Sequence, residues 1–231
     1  MKPDLCCRAG VLPTLLLLLG SLSSGCEIPG PASDTVIGPS FLPRNAWRSS
    51  AVLPVELRRI ALLPTTSLVD SATVNSGRIS MGNVLRSELS RQQAFEWVVV
   101  APSQLKRWSG REEWISTSEL PSGWVQDLAK KSGCDAVLLS ELTDYRPYPP
   151  FAIGWRLKLV EAKEGRILWS ADEVFDAGNP KVVNAARRFY RTNLVASGAL
   201  ADSRSVLESP ERFARYATAS VLSTLPERTI K

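Results

Sequence analysis

Among 231 residues there is no histidine. That absence excludes a His-dependent catalytic triad, an imidazole general base near neutral pH and any His-ligated metal site. The chain also lacks a Walker-type phosphate loop, a Gly-x-Gly-x-x-Gly after an apolar run and a Cys-x-x-Cys pair. A metal site would therefore need oxygen ligands alone, and no Asp/Asn-rich loop offers them. Cysteine is scarce, with four in all, and Cys6, Cys7 and Cys26 crowd the start. Long hydrophobic runs are missing too. The stretch from Val11 through Leu15 to Leu19 is broken by Pro13 and falls short of the ~20 residues a spanning helix needs. What is present is the composition of a globular protein, 44% hydrophobic and 22% charged, with a formal charge of +5. The length suits one domain with tails.

The beginning of the chain carries the sharpest pattern. Lys2 and Arg8 outweigh Asp4, an apolar stretch follows, and then comes Ser21-Leu22-Ser23-Ser24-Gly25-Cys26. A positive start, a short apolar segment and small residues before a cut mark residues 1–25 as a secretory signal peptide. A cysteine directly after Ser-Gly resembles the lipobox of bacterial lipoproteins. The resemblance implies that Cys26 is diacylated and becomes the first residue of the mature chain, tying it to a membrane. The match departs at Ser23, where a lipobox usually has leucine; Leu22 stands one step further from the cysteine. A plain signal peptide with a cysteine nearby is the other reading. Glu27 is not the aspartate that in many bacteria retains lipoproteins at the inner membrane, which points to the outer membrane. With Cys6 and Cys7 removed and Cys26 lipidated, Cys134 is the sole thiol and no intramolecular disulfide can form. It begins the apolar run Cys134-Asp135-Ala136-Val137-Leu138-Leu139, as a small buried residue would, not a nucleophile.

Residues 26–56 contain Pro29, Pro31, Pro39, Pro43 and Pro54 among Gly and Ser. They read as a proline-stiffened tether with a mean span of roughly 30 Å. Phe41, Leu42 and Trp47 suggest that its distal part docks on the domain. Residues 57–231 then read as a single α/β domain. Arg59 to Pro64 is a short apolar run suited to a strand buried on both faces. Met81, Val84, Leu85 and Leu89 recur at helical spacing over 77–92. Phe95 to Val100 is a second strand, Ser122 to Lys131 a helix capped by Ser122 and closed by Gly133, and Cys134 to Leu142 a third strand. A loop over Thr143 to Pro150 leads to Ile153 to Val160, whose alternation predicts one solvated face. Lys163-Glu164-Gly165-Arg166 turns the chain into Ile167 to Ala171. Helices are expected over 180–191 and 209–223, the latter after Ser209-Pro210. The fold class is α/β (α+β), a mixed β-sheet of about five strands in β-α-β-α-β-β-β order with helices packed on it.

These elements form a pattern: Ile60-Ala61-Leu62-Leu63-Pro64, a helix, Phe95-Glu96-Trp97-Val98-Val99-Val100, then the Cys134 strand and a hairpin turning at Glu164-Gly165-Arg166-Ile167-Leu168-Trp169. Over about residues 58–175 this resembles a group of envelope proteins that includes the amino-terminal domain of TolB, CsgG and LpoB. The resemblance implies a periplasmic domain, usually non-catalytic, that docks to other envelope components. It carries no catalytic residues. The long amphipathic strands of a CsgG-type pore, ~9–11 residues each, have no counterpart in 101–121 or 143–150.

Candidate chemistry is thin. Ser103-Gln104-Leu105-Lys106 and Lys131-Ser132-Gly133 match fragments of penicillin-interacting serine enzymes. No S-x-N or Y-x-N element accompanies them, and Gly133 is already a helix stop. Glu112 and Glu113 are neighbours that point apart. No enzyme activity and no cofactor is expected. Seven basic residues stand between Lys181 and Arg215, and Arg187, Arg188, Arg191, Arg212 and Arg215 are the candidate partner surface. For an exported protein the expected partner is an acidic protein surface or anionic lipid, not nucleic acid. Solvated helix faces opposite Phe189, Phe213, Ala217 and Val221 account for the same pattern. Trp97, Trp155 and Trp169 lie in strand patterns and belong to the core. Trp108, Trp114 and Trp124 lie between strands and are the candidate carbohydrate contacts, since flat rings stack on sugars. The functional expectation is a lipid-anchored envelope protein that docks to other proteins; the alternative is a peptidoglycan or carbohydrate binder.

Overall fold

The first strands arise where the sequence pattern suggests a tether. In the computed structural model, which describes residues 35–69, 71–197 and 202–228, the described residues from Val36 onward form one unit. Its first strands are Ala46–Arg48 (β1) and Val52–Leu53 (β2). The expected signal segment, Cys26 and the proximal part of the expected tether lie outside the described residues. The distal half of the segment is part of the domain. Phe41 meets Phe175 edge-on at 5.5 Å between ring centroids, its N–H donates to Lys181 O, and β1 pairs antiparallel with the strand at Ile167–Asp176.

Arg59–Leu62 (β3) is a strand buried on both faces, as the apolar run requires. Helix α1 spans Ala72–Gln92 and starts earlier than residue 77, because the Ser71 hydroxyl accepts the Val74 N–H and caps it there. Glu96–Val99 (β4) leads into Pro102–Ser109 (α2) and Trp124–Ser132 (α3). Gly133, at φ +66°, closes α3 as its position predicts, but the helix starts after Gly123 with no side-chain cap, so Ser122 does not have that role.

Ala136–Arg146 (β5), Ala152–Glu161 (β6) and Ile167–Asp176 (β7) form an antiparallel meander, longer than the sequence pattern predicts. The expected loop over 143–150 is half strand. A bulge between Leu142 and Asp144 lets β5 continue, and a β-carbon on the facing Gly154 would lie 2.7 Å from the Asp144 nitrogen. Gly165, at φ +70°, makes the β6–β7 turn. Pro180–Ser197 (α4), a 3₁₀ turn at Ser203–Leu207, Pro210–Leu222 (α5) and Glu227–Arg228 (β8) complete the domain. Ser209 caps α5 through Arg212 N, with Pro210 in the first turn as expected.

The sheet is mixed and six-stranded, in the order β1-β7-β6-β5-β3-β4; β2 and β8 form a separate parallel pair. β1 supplies the strand beyond the expected five. Helices α1, α4 and α5 cover one face over a large core that includes Trp155, Trp169, Phe175 and Phe213. Two indoles fix the α5 region to that face: Trp155 Nε1 donates to Thr218 Oγ1 and Trp169 Nε1 to Thr224 Oγ1, both at 3.1 Å. A smaller core on the other face joins Leu63, Val137 and Leu139 to Leu105, Trp114, Trp124 and Leu128 of the α2–α3 region.

Candidate functional site

The second face is covered unevenly. Its core reaches from β3 and β5 to Val160 at the end of β6, under α2, α3 and the segment between them. No described helix contributes to this face over the rest of β6, β7 and β1. Strand alternation sends Arg156 and Lys158 (β6), Ser170 and Asp172 (β7) and Trp47 (β1) to that uncovered half. Arg156, Lys158, Ser170 and Asp172 are half-buried, while Trp47 is 53% exposed. The expectation of a solvated face on Ile153 to Val160 thus holds for position and only partly for exposure.

A row of charge runs across three strands at one register: Glu141 faces Arg156, which faces Asp172. Glu141 is fully buried, and the Arg156 guanidinium joins both carboxylates, Nη1 to Glu141 Oε1 at 3.2 Å and Nε to Asp172 Oδ2 at 2.7 Å. The Ser116 hydroxyl donates to the second oxygen of Glu141 at 2.6 Å, and the Lys158 ammonium donates to the Ser116 carbonyl. Bonding to Asp172 holds the Arg156 pKa above its ordinary value. Lys158 is pushed below its ordinary value by burial and then by the neighbouring Arg156 charge, with Glu141 opposing. The result is a rigid polar surface set by strand register, with one tryptophan beside it.

None of Glu141, Arg156, Lys158, Asp172 and Trp47 was a candidate from sequence. The alternation over 153–160 was the usable signal for Arg156 and Lys158. Glu141, a carboxylate inside an apolar run otherwise buried on both faces, was the signal for the row.

The sequence candidates are dispersed. Arg188 donates through Nη2 to Val36 O at 3.1 Å and Gly38 O at 2.5 Å, clamping the incoming chain. Arg215 pairs with Glu88, 6% exposed on α1, at 3.2 Å. Arg212 lies 5.5 Å over the Tyr190 ring and Arg187 donates to Ser203 Oγ. Arg191 is exposed on α4. These arginines hold α4 and α5 together and to their neighbours more than they form one outward patch.

The tryptophan candidates require a correction. Trp114 and Trp124 are buried, 6% and 8% exposed, with ring centroids 4.7 Å apart, and Trp114 Nε1 donates to Ser109 Oγ. They fill the second core and present no free ring face to a sugar. Trp108 is half-buried against the same cluster. Trp155 and Trp169 are in the core as expected, and Trp97 packs at its margin. Cys134 is buried, and burial raises its thiol pKa. Lys106 pairs with Glu112 at 2.9 Å, and Arg78 holds Glu113 through both oxygens. Among the described residues no acidic or cysteine cluster is arranged to hold a metal, and no helix is long and apolar enough to cross a membrane.

No protein-family model and no curated protein matches the chain. Solved structures do show likeness. A PelC dodecamer from Paraburkholderia phytofirmans is 13% identical over 80% of this chain and 98% of its own, with a TM-score of 0.47. Lipoprotein GNA1162 from Neisseria meningitidis is 15% identical over 61% and 99%, at 0.42. LpoB from Escherichia coli is 15% identical over 76% and 93%, at 0.37. With TM-scores below 0.5, none of them lends this chain a residue role or a partner.

Proposed function

We propose that this protein is a lipid-anchored component of a bacterial cell envelope, facing the periplasm, that works by docking to other envelope proteins and not by catalysis. The observation that carries the docking role is the uncovered half of the sheet, where Trp47, Arg156, Lys158 and Asp172 are held in fixed register. A preorganised surface of this kind loses little side-chain freedom on binding, and tryptophan and arginine are the residues that dominate protein interfaces. The signal segment and Cys26 supply the anchor, with the outer membrane favoured by Glu27. Assembly or regulation of an envelope machine is the role such an anchored binding domain would have.

Two measurements test this. Cys26→Ser should move the protein from the membrane fraction to the soluble periplasm; unchanged retention would remove the anchor from the reading. A photo-cross-linker at Trp47 should give a discrete adduct with an envelope protein that Lys158→Glu weakens. If the adduct at Trp47 is no stronger than one placed at Lys181, on α4, the docking role fails at this surface.

A further inference from the structure

At the opposite end of the sheet from Trp47, β4 is an outer strand. Glu96 N–H donates to Arg58 O and Val100 N–H to Leu62 O, so the ladder to β3 uses alternate residues. The N–H and C=O groups of Trp97 and Val99 therefore point away from β3, where no strand pairs with them among the described residues. Register with Ile60 and Leu62 turns the Trp97 and Val99 side chains toward the α1 side of the sheet. There the outer stripe of α1 rises beside the strand, with Ile79, Gly82, Asn83 and Arg86 at helical spacing.

Between helix and strand lies a crevice of about 340 Å³ that opens at the carboxyl ends of β3 and β4, where their connections leave to opposite faces. Its walls include two exposed apolar side chains, Ile79 (72% exposed) and Val99 (43%). Its charge is unbalanced. Arg78 is neutralised by Glu113, but the exposed Arg86 guanidinium has no hydrogen-bonding or ionic partner among the described residues. An unpaired strand edge, an apolar crevice and an unpaired cation along one groove fit one class of occupant.

We infer that the α1–β4 groove binds an extended peptide segment of an envelope partner. The segment adds as a further strand beside β4, places an apolar side chain between Ile79 and Val99, and sets an aspartate or glutamate against Arg86. Main-chain bonds to Trp97 and Val99 supply affinity, and the crevice and Arg86 supply selectivity. This inference rests on the docking reading above and names a second, separate surface for it.

The test is a selection of phage-displayed random heptapeptides on the soluble chain carrying Cys26→Ser. The expected winners alternate apolar residues with an acidic one, and in amide hydrogen exchange they protect Trp97 and Val99. Arg86→Glu should weaken an acidic winner about tenfold, and the same peptide with lysine in place of its acid should recover binding to that variant. Val99→Pro removes an outward N–H that β3 does not use, so it should abolish binding while circular dichroism shows the fold retained. Trp97→Pro provides the same test should Val99→Pro unfold the chain. No enriched alternating acidic peptides, or equal binding to Arg86→Glu and the proline variants, would overturn the inference. So would concentration-dependent protection of Trp97 and Val99 in the protein alone, which would make the occupant a second copy. The Trp47 cross-link reads the other end of the sheet, so it survives if only the groove fails.

Discussion

Gly77 on α1 lies directly beneath the ring of Tyr145 on β5: a β-carbon at position 77 would sit 2.5 Å from Cδ1 and Cε1 of that ring. Two opposing effects then act on Gly77→Ala. Helix propensity favours alanine by about 1 kcal/mol, while forcing a methyl group into a closed contact costs about 1–3 kcal/mol. The clash involves the rigid ring, not the tip of a flexible chain, so Gly77→Ala should be net destabilising. In a Tyr145→Ala background the clash is gone and the same substitution should become stabilising. Urea midpoints of the four variants check that reversal of sign.

That contact also shows why part of the fold was hidden in the sequence. The helix periodicity at Met81, Val84, Leu85 and Leu89 was plain because those side chains repeat every turn against the core. Tyr145 stood among prolines and looked like loop, yet a bulge and Gly154 carry β5 onward to meet α1. Tertiary packing decided the matter, and no local pattern records it. The same holds for β1: Ala46–Arg48 has no alternation of its own and becomes a strand only because β7 offers an edge. The succession of strands and helices along the chain and the hairpin at Gly165 were legible because buried runs and glycine at positive φ are local signals. Trp114 and Trp124 were misplaced for the opposite reason. A position between strands suggested exposure, but Trp114 in the α2–α3 connection and Trp124 at the start of α3 both pack down over the sheet.

Glu141 has no exposed surface, and Arg156 is its ionic partner. Removing one member of such a pair strands a buried charge, at about 3–5 kcal/mol. Arg156→Met should therefore approach that loss, the Ser116 hydroxyl alone being insufficient. Glu141→Leu should cost less, because Arg156 is partly exposed and keeps Asp172. The double variant should be more stable than Arg156→Met. A double-mutant cycle from denaturant melts measures the coupling.

Trp114 closes the smaller core against Trp124, with Arg111 4.9 Å from its ring on the outer side. Trp114→Ala should lower stability by about 3–5 kcal/mol, as large aromatic truncations in a core do. Binding to isolated peptidoglycan, assayed on the fraction that remains folded, should be no different from wild type. Loss of such binding with stability unchanged would restore the sugar-contact role for this residue.

Burial raises the Cys134 thiol above its ordinary 9.0 and the Tyr145 and Tyr216 hydroxyls above their ordinary 10.0. The unfolded chain gives up these protons first. Their contribution to stability is complete below about pH 9 and is lost as pH rises toward the folded-state values. Lys158, with its pKa lowered, acts in the opposite sense over the range below its ordinary 10.5. The melting temperature should therefore fall steeply above about pH 10, where the tyrosines dominate. Tyr216→Phe should flatten that fall, and a set of thermal melts from neutral to alkaline pH checks it.

The segment before β3 is tied down at several points. Phe41 packs on Phe175, Asn184 Nδ2 donates to Pro39 O at 3.1 Å, Asn45 Nδ2 to Asp172 O at 2.7 Å, and β1 covers the outer edge of β7. Without it β7 would become a ten-residue unpaired edge, with Ala171, Trp169 and Phe175 losing cover on one side. Long exposed edges invite pairing with other chains. A chain beginning at Val36 should thus melt cooperatively and stay soluble. One beginning at Leu57, the boundary suggested by composition alone, should show a lower denaturant midpoint, bind a hydrophobic dye and aggregate with rising concentration. Equal midpoints and solubility for the two would mean that β1 merely rests on the sheet, and the rigid placement of Trp47 beside Lys158 would lose its structural basis.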